Sequence, residues 1–514
     1  MKKLIDLFLR AVNCVHRSTC TFFLGKGDYP APPALLAVLW VAVTLLRLYP
    51  SFKSLWEDEI WMLVVSVDQP WRVVFGFENF YSGNHILYSA LSKILLDATH
   101  HHWTEFVYRV PAEAAMFLTL PIAFAVFGRR VSRLGGILAS LLFCFLPAFA
   151  YHAANARGYG LWCFITVWLI GVLPGSQARL QAGRLGAAYF LLAISHSLAV
   201  IPLLAFAVFG SWIWTARQRA RVCIVNFLLA LPGLVLCTVP VSVLMAFDAG
   251  QLRPVHHGWQ SLFGFIPEAA EAIFGSSVFP GFSLLWVLFI AAGLLLIFKK
   301  SMLTGVSVAA CGCSMACAML ITQNPYGSFD RIYIGSLPFA FLAVAVFFDR
   351  AVLWLEQRSR VPSGRLNRSA ICVMCLLFVP WLPLLTDYIL LPKQDYRTLF
   401  TAYKKEFHGA TELFGAGDRY GTGLSYYGRQ YGIRYTGLTS VGQIRDSLLL
   451  SGIKGRGLVV ASVNEVPDTM MTFVRDSLRL YRTFPGNQLT TYLYVAKTDF
   501  PDSLENRLTP LVHY

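Results

Sequence analysis

Charge is scarce in this chain: only 14% of its 514 residues are Asp, Glu, Lys or Arg, against about 25% in soluble domains. With 56% of residues hydrophobic, that scarcity excludes an ordinary water-soluble globule and a disordered chain. Cysteine is missing from the places where a disulfide framework would form. All 11 cysteines fall in the N-terminal segment or in apolar runs, so no framework is implied. Cys311, Cys313 and Cys317 share one run without a His and read as small packing residues. A signal-peptide core is lacking too, because Leu4 to Leu9 is interrupted by Asp6 and followed by Arg10. The N-terminus reads instead as an interfacial amphipathic helix, which leaves targeting to the first true span. No internal repeat is evident, which weakens a transporter built from inverted halves.

What is present in quantity is long apolar runs. Mean hydropathy is +0.56, and stretches able to cross about 30 Å of hydrocarbon recur over the first three quarters. The bilayer must be the solvent for that surface. Length and polar flanks give about eleven spans, at roughly 31–50, 109–127, 134–151, 160–173, 185–197, 198–214, 222–247, 281–298, 303–322, 333–348 and 371–391. Net charge is +15, but the cations sit in alternate loops: Arg129, Arg130 and Arg133; Arg217, Arg219 and Arg221; Lys299 and Lys300; Arg350 to Arg368. That is the positive-inside pattern rather than a face for a polyanion, so nucleic acid is not an expected partner. The opposite, outward side receives 51–108, 152–159, 248–280, 323–332 and the tail.

Two outward segments are more than connectors. In 51–108, Glu57 to Asp68 and His85 to Ala98 have helical apolar spacing, as expected of helices lying in the interface. Beyond 392 the apolar stretches Gly457 to Ala461 and Thr490 to Val495 are too short to span and rich in strand formers. The expected organisation is a transmembrane domain over 1–391 and an outward α/β domain over 392–514.

Four outward motifs carry groups able to do chemistry. Glu57, Asp58 and Glu59 lie between Trp56 and Trp61; a carboxylate held at the interface is partly desolvated and a better base, while a solvated acidic loop reads equally well. Asn84 and His85, before Ile86, Leu87 and Tyr88, open a helix, where an anion is favoured; a plain cap is the alternative. Arg157, in the run Tyr151 to Gly160, offers a bidentate phosphate contact or an anchor for a span end. Arg331, beside Asp330 and Tyr333, offers a second contact or a neutralised pair. His196, His256 and His257 lie outward as well, each more often a polar surface residue than a ligand, and His100 to His102 read as a hydrated loop because adjacent histidines diverge. Glu113, costly inside a span, is expected to pair with Arg109 at i−4. Acids, imidazoles and arginines on one membrane face suit a reaction on an anionic, lipid-attached substrate.

These motifs, in this order, resemble the GT-C superfamily of membrane glycosyltransferases, and within it the protein O-mannosyltransferase and aminoarabinose-transferase type. The resemblance rests on Asp58-Glu59 after the first span, Asn84-His85-Ile86-Leu87-Tyr88, Arg109-Val110-Pro111 and Ala156-Arg157-Gly158-Tyr159. It covers roughly 31–170, with weaker similarity to about residue 400. It implies a GT-C-like polytopic α-helical fold and an inverting transfer at the outer face. The donor would be a polyprenyl-phosphate-linked sugar, and the acceptor a lipid, glycan or protein. Asp58 would be the base, with Glu59 its neighbour or substitute, and His85, Arg157 and Arg331 would hold the donor phosphate. Asn84, Tyr88, His152, Tyr159, His196 and Tyr333 are the further candidates for substrate contact. The chain departs from the pattern in lacking paired prolines after His85 and any acid within 151–160, and a divalent metal is left open. The competing reading is a carrier or flippase for a lipid-linked anion, which would need the cations but no base. The single Asn-x-Ser/Thr sequon, at Asn367, falls on the inward side, which fits a bacterial inner membrane with the tail periplasmic or extracellular; an endoplasmic reticulum membrane is the alternative.

Overall fold

A computed structural model describes residues 2–78, 85–153, 155–173, 181–196, 199–214, 220–248, 259–322, 330–359, 361–407, 411–416, 421–450, 457–460, 466–486 and 490–496. The chain forms two compact units, one of residues 1–51 and 66–386, the other of 52–65 and 387–514.

The first unit is a polytopic bundle of apolar helices. Five helical stretches are long and apolar enough to cross a membrane: Ala34–Ser51, Thr104–Arg130, Phe282–Lys300, Tyr333–Arg358 and Gly364–Leu390. Six shorter apolar helices accompany them among the described residues, at Arg133–Phe145, Tyr159–Val172, Ala182–Ser195, Val200–Trp212, Ala220–Leu236 and Met302–Cys317. This matches the architecture expected from hydropathy. Thr104–Arg130 is the hub, packing against Ala34–Ser51, Ile86–Ala98, Arg133–Phe145 and Tyr159–Val172. Small residues set the close crossings, as expected where lipid offers no hydrophobic drive between helices. A Cβ on Gly136 would stand 2.6 Å from the carbonyl oxygen of Phe124, and one on Gly293 would strike that of Ala343.

Several polar groups inside the bundle find partners, as hydrocarbon favours. Tyr189 donates to Asn226 Oδ1 at 2.8 Å, and Asn226 donates to the carbonyls of Phe206 and Ala207 at 3.1 Å each. Arg47, buried in the first span, donates to the carbonyls of Phe143 and Cys144. Ser51 donates to Glu113 at 2.5 Å, and Arg109 donates to the carbonyls of Pro50 and Ser51. The Arg109–Glu113 pair expected from spacing is therefore joined through Ser51.

The second unit is built on a five-stranded sheet: β1 (Glu412–Ala416), β2 (Arg434–Leu438), β3 (Gly457–Val460), β4 (Leu478–Phe484) and β5 (Thr491–Ala496), in the order β2-β1-β3-β5-β4. β1 pairs in parallel with β2 and β3, while β5 runs antiparallel to both β3 and β4. Every residue of the central β3 is buried, which is why its sequence is an unbroken apolar run. Helix Asp468–Ser477 adds Met470, Met471 and Val474 to the core over β3 and β5. The unit also holds 52–65, taken from the long loop after the first span: Leu55 N–H donates to Tyr427 at 2.8 Å, Arg397 N–H to Ser54 at 3.0 Å, and the Arg397 guanidinium to the Phe52 carbonyl at 3.1 Å.

Candidate active site

In the first unit, the ends of several helices bring distant residues together. His85 immediately precedes helix Ile86–Ala98, Arg157 precedes helix Tyr159–Val172, His196 follows helix Ala182–Ser195, and Arg331 lies in the 3-10 turn Asp330–Ser336. The ring centroids of His85 and His196 are 4.4 Å apart, with Tyr159 at 5.4 Å from His85 and 5.2 Å from His196. The Arg157 guanidinium lies 5.5 Å from the Tyr159 ring centre, a cation–π distance. Trp162 closes the group at 4.6 Å from His196, and His152 and Asn155 lie beside it, joined at 3.4 Å. Gly158 makes the convergence sterically feasible: a Cβ there would stand 2.9 Å from the His85 Cβ and strike the carbonyl of Ser195.

His85 is 2% exposed, and the charges that bear on it are His196, Arg157 and Arg331. Burial first, and then the neighbouring His196 and the Arg157 and Arg331 guanidinium groups, push its pKa well below the usual 6.5, leaving a neutral imidazole at neutral pH. Neither of its ring nitrogens has a hydrogen-bond partner among the described residues. A buried imidazole with open nitrogens, flanked by guanidinium groups, suits an anionic ligand.

The shift also has a sign for stability. The unfolded chain takes up a proton at His85 near pH 6.5 and the folded chain does not, so this contribution is complete above that pH and lost as pH falls below it. A thermal-unfolding series from pH 8 to 5 (roughly the window where histidine titrates) should show stability falling with acid, and the slope should flatten in His85→Gln.

The acidic triplet lies in the second unit, on helix Glu57–Met62, and its three members are differently placed. Glu57 accepts from the backbone N–H groups of Thr422 and Gly423 at 3.1 and 2.8 Å and from the Tyr396 hydroxyl at 3.2 Å. Its own N–H donates to Gln394 at 2.9 Å. Glu57 is thus a tie within the unit, capping the start of helix Gly421–Tyr431. Glu59 is fully buried and accepts from the Trp56 N–H at 3.2 Å, closing a capping box. Asp58 is the partly exposed member. Removing the Glu57 carboxylate strands three donors, so Glu57→Ala should destabilise the second unit by about 2–4 kcal/mol, read as a lower unfolding midpoint or faster proteolysis of the tail.

The remaining candidates divide. Tyr88 is buried and donates to the Tyr108 carbonyl, a packing role. Tyr333 is buried, lining an apolar cavity of about 140 Å³ with Phe274, Leu294 and Phe339. Asn84, His256 and His257 lie outside the described residues. Among the described residues, no group of three or more His, Cys, Asp or Glu is placed to hold a metal. His100 and His101 sit in a turn with φ of 49° and 58°, and His101 lies 3.9 Å from both Asp68 and Asp97. Trp162 and the Ser195 carbonyl were missed by sequence reading, since an aromatic inside an apolar run signals only a span.

No protein-family model and no curated protein matches this chain. Among solved structures it is similar to ArnT from Cupriavidus metallidurans in the apo state, with 12% identity and a TM-score of 0.47 over 90% of this chain and 99% of that one. The same protein bound to undecaprenyl phosphate gives 13% identity and a TM-score of 0.47, covering 92% of this chain and 100% of that one. The Archaeoglobus fulgidus oligosaccharyltransferase in complex with zinc and sulfate gives 11% and 0.47, covering 90% of this chain and 74% of that one.

Proposed function

We propose that the protein is a membrane glycosyltransferase of the GT-C type that moves a sugar from a polyprenyl-phosphate carrier to an acceptor hydroxyl at the outer face of a bacterial inner membrane, with the tail on the periplasmic side. The observation that carries this reading is the buried convergence of His85, Arg157, Tyr159 and His196, with Arg331 bearing on the same imidazoles. A cluster of imidazoles and guanidinium groups suits the phosphate of a lipid-linked donor.

In the proposed reaction Asp58 takes the proton of the acceptor hydroxyl as its oxygen attacks the anomeric carbon. The bond from that carbon to the phosphate oxygen breaks, and the electron pair leaves with the polyprenyl phosphate, inverting the configuration. Arg157 and Arg331 offset the charge that builds on the phosphate, and the open nitrogens of His85 leave it able to donate to it. A phosphate leaving group is stable as an anion, so no general acid is required, unlike glycoside hydrolysis. Imidazoles among arginines suit an anion rather than a dication, and no step is assigned to a metal.

The test uses purified protein in detergent micelles, where a carrier has no second leaflet to deliver to. Labelled polyprenyl-phosphate sugars are supplied with a membrane extract as acceptor. Appearance of free polyprenyl phosphate together with labelled product supports the transferase. Binding without turnover across a panel of sugars favours the carrier and overturns it.

A further inference from the structure

A second cavity lies at the other end of the helices that build the histidine cluster. Helix Tyr159–Val172 starts in that cluster, and about 20 Å along its axis its far end is held by two side chains: Arg130 donates to the Leu173 carbonyl at 3.0 Å and the Trp214 indole to the Ile170 carbonyl at 2.8 Å. Arg130 also lies 5.2 Å from the Trp214 ring centre. Beside them opens a cavity of about 230 Å³ whose polar rim includes Arg130, Lys300, Arg350 and Asp349. Its wall is apolar, formed by Ile213, Leu296, Leu342 and Val346 among others.

Three cations against one acid leave the rim positive. Lys300 and Arg350 are exposed, and neither has an ion-pair or hydrogen-bond partner among the described residues. Arg130 and Lys300 end the apolar helices Thr104–Arg130 and Phe282–Lys300, so the rim stands at the depth where a bilayer's head groups begin. A tryptophan beside it suits the same level.

We infer that this cavity is a binding site for an anionic phospholipid, with the head-group phosphate on Lys300, Arg350 and Arg130 and an acyl chain along the apolar wall. Basic pockets between membrane helices on the positively charged side are suited to such head groups. The site is separate from the proposed donor site, and its failure would leave the transferase reading untouched.

The test is native mass spectrometry of the full-length protein released from nanodiscs of phosphatidylcholine doped with phosphatidylglycerol. The wild type should retain phosphatidylglycerol. The double variant Lys300→Gln/Arg350→Gln should retain it about 30-fold more weakly, equivalent to about 2 kcal/mol for two cations. The control Lys299→Gln/Arg358→Gln removes the same charge away from the cavity and should behave as wild type. Excess inorganic phosphate should not displace the lipid. Unchanged retention in the first variant, or an equal loss in the control, would overturn the inference. So would displacement by inorganic phosphate, which would mean that the cations take a free phosphate group without the chain.

Discussion

Asp58→Asn is expected to lower sugar transfer by roughly 10²- to 10⁴-fold, the usual worth of a general base, while leaving membrane insertion and the unfolding midpoint unchanged. Glu57 is committed to three donors and Glu59 to the Trp56 N–H, whereas Asp58 is the more accessible of the three. Asparagine keeps its size and removes only its basicity. The measurement is initial rate with membrane-reconstituted protein at matched expression. Full activity in this variant would remove Asp58 from the mechanism. The same substitution class at Glu59 should instead show first as lost stability, because its carboxylate closes the helix start.

Arg157→Gln should reduce kcat/KM by roughly 10²- to 10³-fold, as for loss of one preorganised donor to a developing anion, and weaken binding of polyprenyl phosphate itself. Arg157 is 8% exposed and its guanidinium sits over Tyr159, so its charge acts where water screens little. Arg157→Lys is the informative companion. It keeps the charge and loses the planar fork, so it should restore binding in part and rate less. Equal, complete loss in both with a lowered unfolding midpoint would assign Arg157 to structure instead.

The membrane architecture was legible in the sequence because hydrocarbon leaves few options: a run of apolar residues long enough to span must be a helix. The spans expected at 31–50, 160–173, 222–247 and 281–298 lie within a few residues of helices Ala34–Ser51, Tyr159–Val172, Ala220–Asp248 and Phe282–Lys300. In the tail, the two apolar stretches became β3 and β5. β1 and β2 were not legible, since each is five residues long and carries a glycine, Gly415 and Gly437, and their pairing comes from the fold. The association of 52–65 with the tail was hidden for a similar reason. It depends on Tyr396, Thr422 and Gly423, more than 300 positions away.

For the candidate site, residue types on outward loops pointed to His85, Arg157 and Arg331. What sequence did not give was that the ring of His196, at the break after an apolar helix, would lie 4.4 Å from that of His85, or that Gly158 is small because the backbone at Ser195 and the His85 side chain meet there. Nor did it separate the three acids. Glu57, Asp58 and Glu59 are adjacent letters, and it is the fold that buries Glu57 and Glu59 and leaves Asp58 partly exposed.

The central claim is that the buried histidine and arginine cluster receives the phosphate of a lipid-linked donor. The most direct measurement is a cryo-EM map of the full-length protein with polyprenyl phosphate bound. Phosphate density is expected within hydrogen-bonding distance of Arg157 and a His85 ring nitrogen. Phosphate density elsewhere, with the His85–His196–Tyr159 cluster unliganded, would contradict it.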